Sequence, residues 1–140
     1  MDVDDFKHVN DAFGHQAGDA VLADIAGRLK GLTRETDLVA RQGGDEFLVM
    51  IPDIEPEEGV ADPTSRAQRI VSMMTKRIQR SMLDPFDING SHVRITLSVG
   101  SSLFPADALD AHSLLRNSDA AGTSGRRRSE PATRRHASRP

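Results

Sequence analysis

The segment Asp37-Leu38-Val39-Ala40-Arg41-Gln42-Gly43-Gly44-Asp45-Glu46-Phe47-Leu48-Val49-Met50-Ile51 decides the fold. Two strand-like runs, 37–41 and 46–51, flank the junction Gln42-Gly43-Gly44-Asp45. Adjacent glycines between such runs predict a tight antiparallel hairpin. Glycine at the tip also permits positive φ and lets a phosphate chain approach the backbone closely. Asp45 and Glu46, held there, can complete a metal site begun elsewhere. An ordinary Gly-Gly hairpin whose acids stay hydrated fits the same spacing equally well.

Upstream, Val21, Leu22, Ile25, Ala26 and Leu29 share one face of a helix predicted from about Gly18 to Leu32. Asp24, Arg28 and Lys30 are assigned to its solvent face. A shorter helix is predicted over Phe6–Phe13, with Gly14 as its stop. Downstream, Ala67, Ile70, Val71, Met74 and Ile78 mark a second amphipathic helix. Asn89-Gly90 is a turn ahead of a strand from Val93 to Val99, whose odd positions are apolar. A last helix starts near Ala108 and carries Leu114 and Leu115. Helices intermixed with hairpins predict an α+β fold, an antiparallel-rich sheet with flanking helices. Beyond Ala121 the apolar periodicity ends, so the chain divides into a domain over 1–121 and a disordered Arg/Ser/Pro-rich tail over 122–140.

At 140 residues with 37% hydrophobic and 28% charged content, the chain suits one globular domain. It has no cysteine, which excludes disulfides and thiolate metal sites. No apolar run approaches the roughly 20 residues of a membrane span, and no signal peptide opens the chain, so a cytoplasmic location is expected. From Ala120 onward six arginines face one acid, a charge of +5; with the whole chain at -3, the remainder carries -8. An acidic body without tryptophan or tyrosine argues against a nucleic-acid partner. It suits a site that collects carboxylates around metal ions.

Asp2-Val3-Asp4 reads as the end of a strand, where alternation sends both carboxylates to one side. Such hard oxygen ligands suit Mg²⁺ shared with substrate phosphates; an acidic terminal tail is the plainer alternative. Asn10 and Asp19 have the chemistry to pair with a purine edge, and read equally well as helix caps. His15 alone reads as a structural histidine.

Gly43-Gly44-Asp45-Glu46-Phe47 resembles the signature of the GGDEF family of diguanylate cyclases. It stands in the family's order with Asp2-Val3-Asp4-Asp5-Phe6-Lys7, Asn10-Asp11, Gly14-His15, Gly18-Asp19 and Ser98-Val99-Gly100, over about residues 1–120. The resemblance implies a palm-like, ferredoxin-like fold of the nucleotide-cyclase type, in which two GTP are condensed into cyclic di-GMP with release of pyrophosphate. It implies Mg²⁺ (or Mn²⁺) held by Asp2, the Val3 carbonyl and Asp45. Asp45 and Glu46 take catalytic roles. Lys7, Asn10, His15, Asp19, Gly43 and Gly44 take substrate-binding roles, with Asn10 and Asp19 on the guanine base and Lys7 on phosphates. The active state implied is a homodimer, with no membrane partner in this chain. Arg34-Glu35-Thr36-Asp37 matches the family's RxxD inhibitory site, where Arg34 and Asp37, with Arg69, bind product.

Two departures accompany the resemblance. The family's DxLTGLxNR helix and the hydrophobic strand after it are missing ahead of Asp2, so a central strand is expected to lose most of its length and the sheet its middle ladder. After Ala121, Gly122-Thr123-Ser124-Gly125-Arg126-Arg127-Arg128 stands where the family has an aromatic residue, an Ala-Lys pair and a Gly-Arg-Asn close. That change reads as a shift of reading frame. A module that binds GTP or cyclic di-GMP without turnover, and a non-functional remnant, are the rival readings.

Overall fold

The computed structural model describes residues 1–55, 58, 59, 62 and 64–126; the part of the expected tail over 127–140 lies outside them. The hairpin forms as its glycines dictate. Strand β2 (Leu38–Gly43) pairs antiparallel with β3 (Glu46–Met50). Ala40 faces Leu48, Arg41 faces Phe47 and Gly43 faces Glu46, which leaves Gln42 as the extra residue of a bulge. Gly44 takes φ 50 in the turn, a sign that glycine adopts freely.

Strand β1 (Asp2–Val3) is two residues long and lies inside a four-stranded sheet of order β2-β3-β1-β6, where β6 is Leu97–Ser98. Asp2 faces Glu46 on one side and Ser98 on the other, and Val3 faces Leu97. The middle ladder expected to be lost is present. Val3 N–H donates to the Asp45 carbonyl at 3.2 Å, Phe47 N–H to the Met1 carbonyl at 2.9 Å, and Asp4 N–H to the Thr96 carbonyl at 3.0 Å. The Met1 ammonium adds a bond to the Phe47 carbonyl at 3.0 Å. A short strand between two neighbours is stitched from both sides, which few residues suffice to do.

Helix α1 (Phe6–Phe13) stops at Gly14, whose φ of 85 turns the chain directly into α2 (His15–Leu32). The second helix therefore starts three residues before Gly18. Its expected face is buried: Val21, Leu22, Ile25 and Leu29 pack with Val3, Phe47 and Leu97 from one face of the sheet. Arg28, assigned by pattern to solvent, instead folds into the junction with α3 (Ser65–Ser81) and β4 (Phe86–Ile88). Its Nη1 donates to the carbonyls of Ser81 and Asp84 at 2.8 Å each, and its guanidinium lies 3.8 Å from the Phe86 ring centroid. The last carbonyls of a helix need donors, and a long cationic side chain from a neighbour supplies them here.

The Asn89-Gly90 turn, with φ 53 and 82, closes a separate hairpin of β4 and β5 (Ser91–Val93). The single strand expected over 93–99 is thus divided: its start pairs with β4 and its end, β6, with β1. The apolar alternation survives the change of sheet, with Ile95 and Leu97 both buried. Helix α4 (Ala111–Arg126) begins behind Asp110, whose carboxylate accepts Ser113 N–H at 2.9 Å. It runs five residues past Ala121, so the stretch 122–126 is helical where disorder was expected. Gly122 is buried against Gly100: a Cβ on Gly100 would collide with the Ser118 carbonyl and the Gly122 amide. That backbone contact is invisible to a periodicity count, because neither glycine carries an apolar side chain.

Candidate active site

Antiparallel pairing puts directly opposed residues on the same face of a sheet. Asp2, Glu46 and Ser98 therefore share the face away from the Val3–Phe47–Leu97 core, and Asp45 stands at the turn beside them. The Val3-to-Asp45 hydrogen bond fixes this adjacency at the backbone. Acids 44 residues apart in the chain, Asp2 and Glu46, are brought together by one rung of sheet.

Asp4 does something else. Its two carboxylate oxygens accept the hydroxyls of Thr96 at 2.6 Å and Ser98 at 2.7 Å, tying the exit of β1 to β6. Asp4 thus lies on the same side of the sheet as Asp2, as alternation predicts, with its carboxylate engaged by β6. The signal of this clamp in the sequence was Ser98, in the Ser-Val-Gly motif, at a position that alternation places opposite the strand.

Asn10 and Asp19 come from the two helices that meet at Gly14. Gly18 is buried against the Asn10 side chain; a Cβ there would collide with Asn10 Oδ1 and crowd Phe6. Among the described residues neither the half-buried Asn10 amide nor the Asp19 carboxylate has a hydrogen-bond partner. Asp19 lines a cleft of about 210 Å³ with Leu22, Ala23 and Ala26 of α2 and Val39, Arg41 and Phe47 of the hairpin. Most of its lining is apolar, with Asp19 and Arg41 as its charged groups. Lys7 and His15 are exposed, on the first turn of α1 and at the start of α2.

Arg41 is a site residue that sequence reasoning passed over. Its Nε donates to the Gly44 carbonyl at 2.8 Å across the turn. The available signal was its place two residues before Gly43, on the same face as Phe47.

The diguanylate cyclase GGDEF domain model matches residues 1–130. The chain belongs to the diguanylate cyclase GGDEF family. Over 121 residues, 86% of the chain, it is 42% identical to the bifunctional diguanylate cyclase/cyclic di-GMP phosphodiesterase MucR of Pseudomonas aeruginosa, and 41% identical to the diguanylate cyclase TpbB of that organism. It spans only 16% and 26% of the lengths of these relatives. The crystal structure of the TpbB GGDEF domain superposes with a TM-score of 0.78 at 37% identity, covering 91% of this chain and 73% of that one. The GGDEF domain of DgcB from Caulobacter crescentus, solved in complex with c-di-GMP, superposes with a TM-score of 0.71 at 25% identity, covering 92% and 70%.

The palm-like α+β architecture expected from the sequence is thus that of the GGDEF domain. In this GGDEF domain the RxxD segment is a compact turn after α2: Asp37 N–H donates to the Arg34 carbonyl at 3.1 Å, and the Asp37 carboxylate accepts Arg34 N–H at 2.8 Å. The Arg34 side chain is left exposed, and Arg69 is exposed on the second turn of α3. No helix among the described residues is long and apolar enough to cross a membrane. Asp2, Asp45 and the Val3 carbonyl are oxygen donors carried by β1 and the adjoining hairpin turn, and no group of three or more His, Cys, Asp or Glu side chains that could hold a metal ion forms among the described residues. That donor set fits Mg²⁺, which keeps several waters and shares substrate phosphates instead of demanding an all-protein shell.

Proposed function

We propose that this GGDEF domain condenses two GTP molecules into cyclic di-GMP and two pyrophosphates. In each half-reaction the ribose 3′-oxygen of one nucleotide forms a bond to the α-phosphorus of the other, and the bond to the pyrophosphate breaks in line with it. The observation that carries this reading is the β1–β3 register, which sets Asp2, Val3, Asp45 and Glu46 beside one another.

The Asp19 carboxylate accepts guanine N–H groups, and the Asn10 amide presents a donor and an acceptor to the same edge. Lys7 meets phosphate as a compact cation. His15, Gly43 and Gly44 border the bound nucleotide, the glycines leaving its phosphates room at the backbone. Asp2, Asp45 and the Val3 carbonyl would hold Mg²⁺ or Mn²⁺, which when bound would supply the charge that lowers the pKa of the 3′-hydroxyl and neutralises the leaving group. Asp45 assists removal of the 3′ proton, and Glu46 adds negative charge to the same metal-binding environment.

One GTP per domain requires two domains face to face, so the active form is a homodimer with a twofold axis. Arg34 and Asp37, with Arg69, form a product site: a guanidinium grips guanine and phosphate in a fork that lysine lacks. GTP as substrate places the reaction in the cytoplasm.

Incubating the purified chain with GTP and Mg²⁺ and separating nucleotides by chromatography tests the reading. Cyclic di-GMP and pyrophosphate in a 1:2 ratio are expected, at a rate rising more steeply than linearly with protein concentration. Tight cyclic di-GMP binding without turnover would assign a receptor in its place. Arg34→Ala should raise the cyclic di-GMP concentration needed for half-inhibition by about tenfold or more, the loss of one charge-assisted bidentate contact.

A further inference from the structure

We infer that Arg41 is a positioning residue for Asp45, acting through the peptide that carries it; this rests on the proposed function above. Beyond the Gly43–Glu46 pair that closes the hairpin, the Gly44-Asp45 turn has few other constraints. Gly44 sits at φ 50 with nothing within 4 Å of where a Cβ would be, so packing does not fix the turn. A glycine in a two-residue turn reorients its following peptide at low cost, because both signs of φ are open to it. Asp45 cannot anchor itself either: its half-buried carboxylate has no hydrogen-bond or ion-pair partner among the described residues.

Two bonds set where Asp45 stands. On its C-terminal side the Asp45 carbonyl accepts Val3 N–H at 3.2 Å. On its N-terminal side the Gly44 carbonyl accepts Arg41 Nε at 2.8 Å, a short charge-assisted contact. Both peptide planes flanking the residue are thereby pinned, one by the neighbouring strand and one by a side chain. Arg41 also lines the Asp19 cleft, yet it forms no ion pair with Asp19 among the described residues, so its bond to the turn is not diverted. Lysine has no donor at the Nε position of the arginine stem, so charge alone does not reproduce the contact.

The test compares Arg41→Lys, Arg41→Gln and Arg41→Ala with the unmodified chain by steady-state kinetics, by Mn²⁺ binding followed with electron paramagnetic resonance, and by thermal melting. All three variants should lose about 10- to 100-fold in kcat and in Mn²⁺ affinity, as residues that orient metal ligands do. KM for GTP should move by less than about threefold, with melting unchanged. Full recovery by lysine would overturn the inference, as would a change confined to KM, or Arg41→Ala matching the unmodified chain in kcat and Mn²⁺ binding. An unmodified chain that binds Mn²⁺ and makes no cyclic di-GMP would sink the proposed function alone, the loss of Mn²⁺ affinity in the variants still deciding Arg41. An unmodified chain that binds no Mn²⁺ would sink both.

Discussion

The Arg28 junction and the Gly44-Asp45 turn treat charge in opposite ways. Arg28 is only 19% exposed and is saturated: Asp24 lies 3.1 Å away, two helix-end carbonyls accept from it, and Phe86 stacks beneath it. Asp45 is pinned through its backbone on both sides and its carboxylate is left open among the described residues. A charge whose every valence is met inside the fold holds elements together. A charge placed by backbone bonds alone is kept available for something that arrives later. Asp4 and Asp45, acids of the same site region, fall on opposite sides of this division.

The largest expected effect breaks the comparison at the open end. Asp45→Ala should abolish measurable cyclic di-GMP synthesis, a loss of roughly 10³-fold or more for a charge that meets the developing transition state. Its urea midpoint should stay within about 0.5 kcal/mol of the parent, as for surface positions outside the packed core. Arg28→Ala should do the reverse, costing about 2–3 kcal/mol of stability in urea unfolding through orphaned carbonyls and the lost ring contact, with kcat per folded molecule retained. Were Arg28→Ala to lower kcat and leave stability intact, the division between satisfied and open charge would fail.

A smaller effect tests whether the fold truly continues to Arg126. Gly100→Ala forces a methyl group into the Ser118 carbonyl and the Gly122 backbone and should cost about 1–3 kcal/mol, the range for overpacking. No change would mean that α4 does not rest there. The smallest effect concerns capping acids. The Ser113 N–H, with the Ser113 hydroxyl second, holds the Asp110 carboxyl below its usual value of 3.8, and the Thr64 hydroxyl, then the Thr64 N–H, do the same for Asp62. A carboxyl depressed in the folded state stabilises the fold above its unfolded pKa, and that contribution is lost as pH falls through the folded value. Stability should therefore decline below about pH 3.8. Asp110→Asn should flatten part of that acid limb in urea midpoints measured across the same range.

Much of the fold was legible in the sequence because local chemistry and the final structure agree. Gly44 and Asn89-Gly90 became hairpin-turn residues since few other residues tolerate those φ values. The face of α2 followed its period because the sheet core lies on one side of it. Where the readings differed, partners distant in sequence were responsible. Arg28 left the solvent face because the end of α3 and the loop after it offered carbonyls 53 and 56 residues away. The strand over 93–99 divided because β4 and β1 compete for successive parts of it. The boundary at Ala121 shifted because Gly122 packs by having no side chain, and a hydrophobicity pattern gives no weight to that.

The linear order of residues by itself determined the family, the hairpin tip, the helical faces and the identity of the acids, all of which depend on near neighbours and on chemistry that each residue carries alone. Only the tertiary structure decided which acids stand open and which are spent, and that Arg41 holds the turn beneath Asp45. Those outcomes are set by register between strands, and a shift of one residue in pairing would send each of these side chains to the opposite face.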